Sequence, residues 1–170
     1  NGNIDDGVEF SVVCAPEGYT YVPDDNFEQA LIDLGYDDVI NDFVLTENIS
    51  GVTDLDVGEK EISDLTGIED FTALTQLWCS YNQLTSLDVS NNTALTSLYC
   101  AVNQLTSLDL SAALIQLVCY GNQLTSLDVS TNTALTGLFC SSNQLIHLNM
   151  KNGVTDALTF DATSNSLDCI

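Results

Sequence analysis

The sequence predicts an α/β solenoid, a stack of short coils with a parallel β-sheet on its concave face, a second narrow parallel sheet on its back and a short helical cap at the N-terminal end. Three observations carry that expectation. The pattern Leu-x-x-Leu-x-Cys-x-x-Asn-Gln-Leu occurs four times, from Leu74, Leu95, Leu114 and Leu135, at spacings of 21, 19 and 21 residues. A unit that short buries its apolar residues only by stacking on its neighbours. Inside each copy Leu and Cys alternate with a variable residue, the period of a strand with one buried face. Finally, 170 residues with 45% hydrophobic content suffice for one continuous core, and no linker-like stretch divides it.

Residues 1–22 read as an N-terminal extension, with an alternating edge-strand run at 8–12 and a turn at Ala15-Pro16-Glu17-Gly18. Residues 23–50 read as the helical cap. Asp24 and Asp25 offer N-capping oxygens, Phe27, Ala30, Leu31 and Leu34 recur at helical spacing, Gly35 supplies a stop, and Phe43-Val44-Leu45 adds a leading strand. Leucine-rich repeats fill 51–170. The first, from Val52, is a 22-residue unit whose back is expected to tighten into a 3₁₀ or helical turn around Leu65-Thr66-Gly67-Ile68. From Leu74 on, Leu84-x-x-Leu87-Asp88-Val89-x-x-Asn92 repeats the spacing of the coil's first half, so each coil is expected to hold two strands. Ala112-Ala113 shortens one back turn by two residues, and the region around Asn152-Gly153 lengthens another. The last rung, at 160–167, is degenerate and has no closing cap, so further protein is expected to follow. The lack of an initiator Met and of a signal-like leader points to a mature or trimmed chain.

Charge narrows the partners. Twenty-five acidic residues face two basic ones, Lys60 and Lys151, for a net charge of −23. Nucleic acid is excluded, because its binding rests on basic side chains that neutralise phosphates. No apolar run approaches the ~20 residues that span a bilayer, so no membrane insertion is expected. Calcium, other cations and basic proteins are the partners this field favours, although acidity alone also serves solubility.

The segment Tyr21-Val-Pro-Asp-Asp-Asn-Phe-Glu-Gln-Ala-Leu, then Ile62-Ser-Asp-Leu-Thr-Gly-Ile-Glu, then Leu-x-Cys-x-x-Asn-Gln-Leu-Thr-Ser-Leu-Asp-Val-Ser-x-Asn-Thr-Ala-Leu, resembles secreted bacterial leucine-rich repeat proteins. The 22-residue unit is similar to internalin repeats, and the 21-residue units resemble the nested IRREKO subclass. The likeness covers about residues 21–168. It implies an extracellular, secreted or cell-surface recognition or adhesion module, often part of a longer chain, with no catalytic residues and no cofactor to carry over.

Among the chemistry-bearing residues, Cys79, Cys100, Cys119 and Cys140 share one inward position. Strands ~4.8 Å apart hold them too far apart and too parallel for disulfides, and in a line that suits no tetrahedral metal. Cys14 and Cys169 lie at opposite ends, so a bond between them is not expected. Asn82, Asn103, Asn122, Asn143 and Asn165 recur where each strand turns, and are expected to satisfy backbone groups there. Asp88, Asp109, Asp128 and Asn149 form an outward back row, and Asp37, Asp38, Asn41 and Asp42 cluster after the helix. Both are weak calcium candidates, with solvated carboxylates favoured. His147 stands alone at the surface.

The outward residue between Leu and Cys gives the candidate binding row: Trp78, Tyr99, Val118 and Phe139, flanked by Asp56 and Asp161, with Tyr120 one column further on and Gln76 and Gln116 as hydrogen-bonding neighbours. A protein ligand for this row is the leading expectation. A glycan stacked on the same rings is the second, and a structural spacer whose row mediates a homo-oligomer or domain contact is the third. Catalysis is not expected, since a lone His, no Arg and no enclosing cleft leave a reaction without its acid, base and pocket.

Overall fold

A computed structural model describes residues 15–153 and 159–168. The edge-strand run expected at 8–12, together with Cys14 and Cys169, lies outside them. The N-terminal elements are β1 (Tyr19–Tyr21), α1 (Asp25–Asp33), β2 (Phe43–Leu45) and α2 (Thr46–Ile49). Helix α1 forms where the sequence places it, with Phe27, Ala30 and Leu31 buried on its inner face. Leu34, expected on that face, is exposed because it caps the helix C-terminus and has turned away before Gly35 (φ 82°) reverses the chain. Phe43–Leu45 is a strand, but it pairs antiparallel with Tyr19–Tyr21 instead of leading the repeat sheet. Phe27 packs against Phe71 of the first repeat, ring centroids 6.3 Å apart.

One side chain ties this cap to the solenoid. Asp24 caps α1 by accepting from the N–H groups of Asn26 and Phe27 at 3.0 Å, and its other oxygen accepts from Ser63 N, Ser63 Oγ and Asp64 N. Partial burial pushes its pKa up, but the hydrogen bonds from Ser63, Phe27 and Asp64 outweigh it and hold the carboxyl below its ordinary 3.8. A depressed folded value means that the stabilisation is complete above 3.8 and is lost as pH falls through the lowered value. Asp24→Ala is expected to cost roughly 2–3 kcal/mol at pH 7. Thermal melts at pH 7 and pH 3 should show the gap to wild type narrowing in acid.

The repeats begin at β3 (Asp54–Asp56) and continue through a 3₁₀ turn at Ile68–Asp70, on the expected back of the first coil. Gly67, at φ 102°, opens that turn, and a Cβ there would meet the Tyr21 carbonyl at 2.8 Å. Five further front strands follow: β4 (Gln76–Trp78), β6 (Ser97–Tyr99), β8 (Gln116–Val118), β10 (Gly137–Phe139) and β12 (Thr159–Asp161). Between them lie the back strands β5 (Ser86–Asp88), β7 (Ser107–Asp109), β9 (Ser126–Asp128) and β11 (His147–Asn149). The front strands form one six-stranded sheet in the order β3, β4, β6, β8, β10, β12, and each pair is parallel with residues of equal repeat position opposite each other.

Stacking turns each buried position into a column. Leu77, Leu98, Leu117 and Leu138 form one, and Cys79, Cys100, Cys119 and Cys140 form the next, all with no exposed surface. Beside them runs the asparagine ladder. Asn122 shows its bonding: Oδ1 accepts from Leu105 N, while Nδ2 donates to the carbonyls of Cys100 on the preceding rung and Cys119 on its own. Asn82, Asn103 and Asn143 bond in the same manner. A second buried row, Asn92 and Asn132, holds the back turns by donating to Ile68 O and Ser111 O.

The narrow back sheet exists in two pieces. Strands β5 and β7 pair, and β9 and β11 pair, but β7 and β9 do not. The single expected row of Asp88, Asp109, Asp128 and Asn149 is therefore broken into two pairs. The cause is the short back turn: Ser111 stands where the neighbouring coils carry Asn92 and Asn132, and Leu110 is only partly buried where Val89 and Val129 are fully buried. The gap is a hollow of about 340 Å³ lined by Thr106, Leu108, Leu110, Asp128 and Thr131, among others.

Candidate functional site

One outward column of the front sheet, a residue from each rung, is Asp56, Trp78, Tyr99, Val118, Phe139, Asp161. Strand alternation turns them outward because Leu77, Leu98, Leu117 and Leu138 turn in. Trp78, Tyr99, Val118 and Phe139 are half-buried by one another, not free-standing. The rings of Trp78 and Tyr99 are stacked, with centroids 5.6 Å apart and planes 6° from parallel. Parallel rings whose centroids lie farther apart than the ~4.8 Å strand spacing are offset-stacked, each partly covering one face of the other. Each then offers solvent its edge and the face turned away from its partner.

A second column and the turn beyond it widen this patch. Tyr120 lies half-buried beside the row, and a hydrogen bond with Tyr81 raises its pKa. The turn residues Glu59, Tyr81, Val102, Gly121, Ser142 and Ser164 all have φ between 53° and 69°. A left-handed ladder thus runs along the sheet edge, and only one of its members is glycine. Val102 is the costly one, since a β-branched residue at φ 54° is strained by on the order of 1 kcal/mol or more. It remains 37% exposed, beside Gly121. This ladder is not legible in the sequence, because left-handed turns are read from Gly or Asn and, of these six positions, Gly121 alone holds either.

Two hollows bracket the row. One, of about 420 Å³, is lined by Asp56, Gly58, Glu59, Lys60, Trp78, Ser80 and Tyr81. The other, of about 470 Å³, is lined by Val118, Tyr120, Phe139, Ser141 and Asp161. Asp161 is kept below the usual carboxylate range by the Thr163 N–H and hydroxyl, so it is ionised at neutral pH. Of the two glutamines named with the row, Gln76 is already engaged, donating to Asp54 Oδ1 at 2.7 Å, while the stem of Gln116 lies against Gly137.

The remaining candidates fall elsewhere. The ladder thiols are free and buried, and burial pushes Cys79 up to about 12 and Cys140 to about 11, with Cys100 and Cys119 well above the ordinary value. Alkylation by iodoacetamide at pH 8 is accordingly expected to label none of the four in the native protein and all four in denaturant. Mass spectrometry of the alkylated chain reads this directly, and rapid native labelling would overturn the inward register. On the back, Asp88 and Asp128 are held low by Ser90 and Ser130 and cap the turns that follow them. His147 is exposed on β11. Near the helix it is Asp25, Glu28 and Asp42 that approach one another, within 4.8 Å, not the run from Asp37. Both oxygens of the buried Glu28 are already taken by the N–H groups of Asn41, Asp42 and Phe43, so the site is a loop anchor by its own bonding. Among the described residues no helix is long and apolar enough to cross a membrane.

No protein-family model matches the sequence. Over 72 residues, 42% of this chain, it is 40% identical to internalin J of Listeria monocytogenes, and the match spans 8% of that protein. Among solved structures, YopM from Yersinia enterocolitica aligns with 69% of this chain and 30% of its own, at 24% identity and a TM-score of 0.54. The functional domain of internalin J from Listeria monocytogenes, described as including a cysteine ladder, aligns with 89% of this chain and 49% of its own, at 26% identity and a TM-score of 0.41. The parallel register of the front rungs and the YopM likeness give this chain the leucine-rich repeat solenoid fold, with a segment similar in sequence to internalin J.

Proposed function

We propose that the protein is a non-catalytic, extracellular recognition module that binds a protein partner through the outer face of its front sheet. The observation that carries this reading is the continuous apolar strip formed by Trp78, Tyr99, Val118, Phe139 and Tyr120 on a sheet whose other outward positions are small or polar. Clustered aromatic anchors on a rigid sheet are the usual source of interface energy, and ordering them costs little because they are already packed on one another. Similarity to internalin J supports a recognition role without specifying the partner. A glycan finds less purchase here, since sugars stack on open ring faces and Trp78 and Tyr99 cover one face of each other. The test is an array of purified extracellular protein domains probed with wild type and with a Trp78→Ser, Tyr99→Ser, Phe139→Ser triple variant, alongside a glycan array. Binding of protein spots that the variant loses supports the proposal. Binding confined to glycans would replace it, and concentration-dependent light scattering lost in the variant would assign the row to self-association.

A further inference from the structure

The charges of the sheet face are placed at the two ends of the aromatic row. Its outward column starts at Asp56 and ends at Asp161, and every position between them is uncharged, as are the flanking Gln76, Ser97, Gln116 and Gly137 on one side and Ser80, Ala101, Tyr120 and Ser141 on the other. Each terminal carboxylate borders one of the two hollows, and each hollow sets that carboxylate beside aromatic rings: Asp56 with Trp78 and Tyr81, Asp161 with Phe139 and Tyr120. Neither carboxylate is neutralised by a cation. Asp56 accepts the Gly58 N–H, Asp161 accepts from Thr163, and among the described residues neither forms an ion pair. Lys60, at the rim of the first hollow, is directed to Asp33 at 3.4 Å and is offset there by Glu59.

A carboxylate sharing a hollow with aromatic rings, in a molecule of net charge −23, is complementary to one side chain above others. A guanidinium stacks flat on the ring, donates to the carboxylate in the same plane and sheds its water more readily than an ammonium. We propose that the two ends of the row are arginine pockets, so that the partner is a basic polypeptide segment presenting two arginines with apolar residues between them. Five strand steps of ~4.8 Å separate the carboxylates by about 24 Å, the span of about seven residues of extended chain at ~3.3 Å each. The inference rests on the reading of the row as a protein-binding face and adds to it the chemistry and spacing of the ligand.

Trp78 is the only tryptophan, so its fluorescence reports on the first pocket without a label. The probes are synthetic peptides with one arginine, with two arginines seven residues apart and with two arginines two residues apart, each paired with a neutral citrulline version and titrated by fluorescence and calorimetry. The seven-residue peptide is expected to bind at least about tenfold more tightly than either other arginine peptide, because a span-matched linker makes the second contact intramolecular. Asp56→Asn and Asp161→Asn keep the Oδ1 acceptor that holds each turn, and each should reduce that peptide to the one-arginine level. Equal binding of arginine and citrulline peptides, or indifference to spacing and to both substitutions, overturns the proposal. If the peptides fail while the aromatic triple variant still loses its array partners, the arginine pockets fall and the protein-binding face stands. If the peptides bind as expected while the triple variant keeps its array partners, it is the functional reading that falls.

Discussion

Replacing Trp78, Tyr99 and Phe139 together by Ser is expected to weaken partner binding at least about 100-fold while the solenoid stays folded. Two magnitudes decide this. Within the fold, the outward column contributes cross-strand contacts of roughly 0.2–1 kcal/mol per pair, with about 0.5–1.5 kcal/mol more for a stacked aromatic pair. Only Trp78 and Tyr99 form such a stack in the row, and the Leu and Cys columns beneath it are untouched. At an interface, by contrast, each desolvated aromatic anchor carries ~2 kcal/mol or more. Circular dichroism should therefore change little and the melting temperature should fall by a few degrees, while binding to the partners found on the array is lost. A variant that unfolds outright would show the row to be core. A variant that folds and binds normally would move the site off this face.

The second large effect concerns the fold itself. Asn122→Ala is expected to destabilise by about 2–4 kcal/mol, since it strands Leu105 N in the interior at roughly 1–3 kcal/mol and removes one of the two amide bonds on each of Cys100 O and Cys119 O, which keep Asn103 and Asn143 as donors. That is a large share of the ~5–15 kcal/mol by which a domain of this size is stable. Asn165→Ala should cost distinctly less, because its contacts with Leu145, Cys140 and Ala162 are only part-buried. Urea unfolding followed by Trp78 fluorescence and by far-ultraviolet dichroism measures both. Non-coincident transitions for Asn122→Ala would mark the two sides of the ladder unfolding separately, as nearest-neighbour coupling predicts. Equal costs at Asn122 and Asn165 would mean that the ladder is not what couples the rungs.

What the sequence made legible was whatever repeats. The Leu, Cys and Asn columns recur at fixed intervals, and a periodic pattern fixes both strand register and the inward or outward sense of each side chain. The outward row of Trp78, Tyr99, Val118 and Phe139 followed from that alone. Departures from periodicity were harder. The two missing residues at Ala112-Ala113 were visible, but the resulting separation of β7 from β9 depends on how far a shortened turn pulls Ser111 inward, which spacing does not tell. Likewise Phe43–Leu45 reads as a strand from composition, whereas its antiparallel pairing with β1 is set by tertiary contacts. The five bonds of Asp24 were half visible, its N-cap role being local and its grip on Ser63 and Asp64 lying some forty residues away in the chain. The facing orientation of the Trp78 and Tyr99 rings is a matter of side-chain rotamers, which no pattern of residue types encodes.

The gap behind β7 and β9 gives the molecule a preferred axis of elastic bending. At that level the two coils are joined across the front by the pairing of β6 with β8, and at the edges by Gln123 N to Leu105 O and by Asn132 to Ser111 O, but their backs carry no ladder. Bending that spreads or closes the backs there disrupts no strand pairing, whereas the same motion one coil earlier or later must break the β5–β7 or β9–β11 pairs. The axis passes beneath the step from Tyr99 to Val118, near the midpoint between Asp56 and Asp161. A small change of angle at this compliant joint is thus levered into a change in the distance between Asp56 and Asp161, while the rings on either side keep their local geometry.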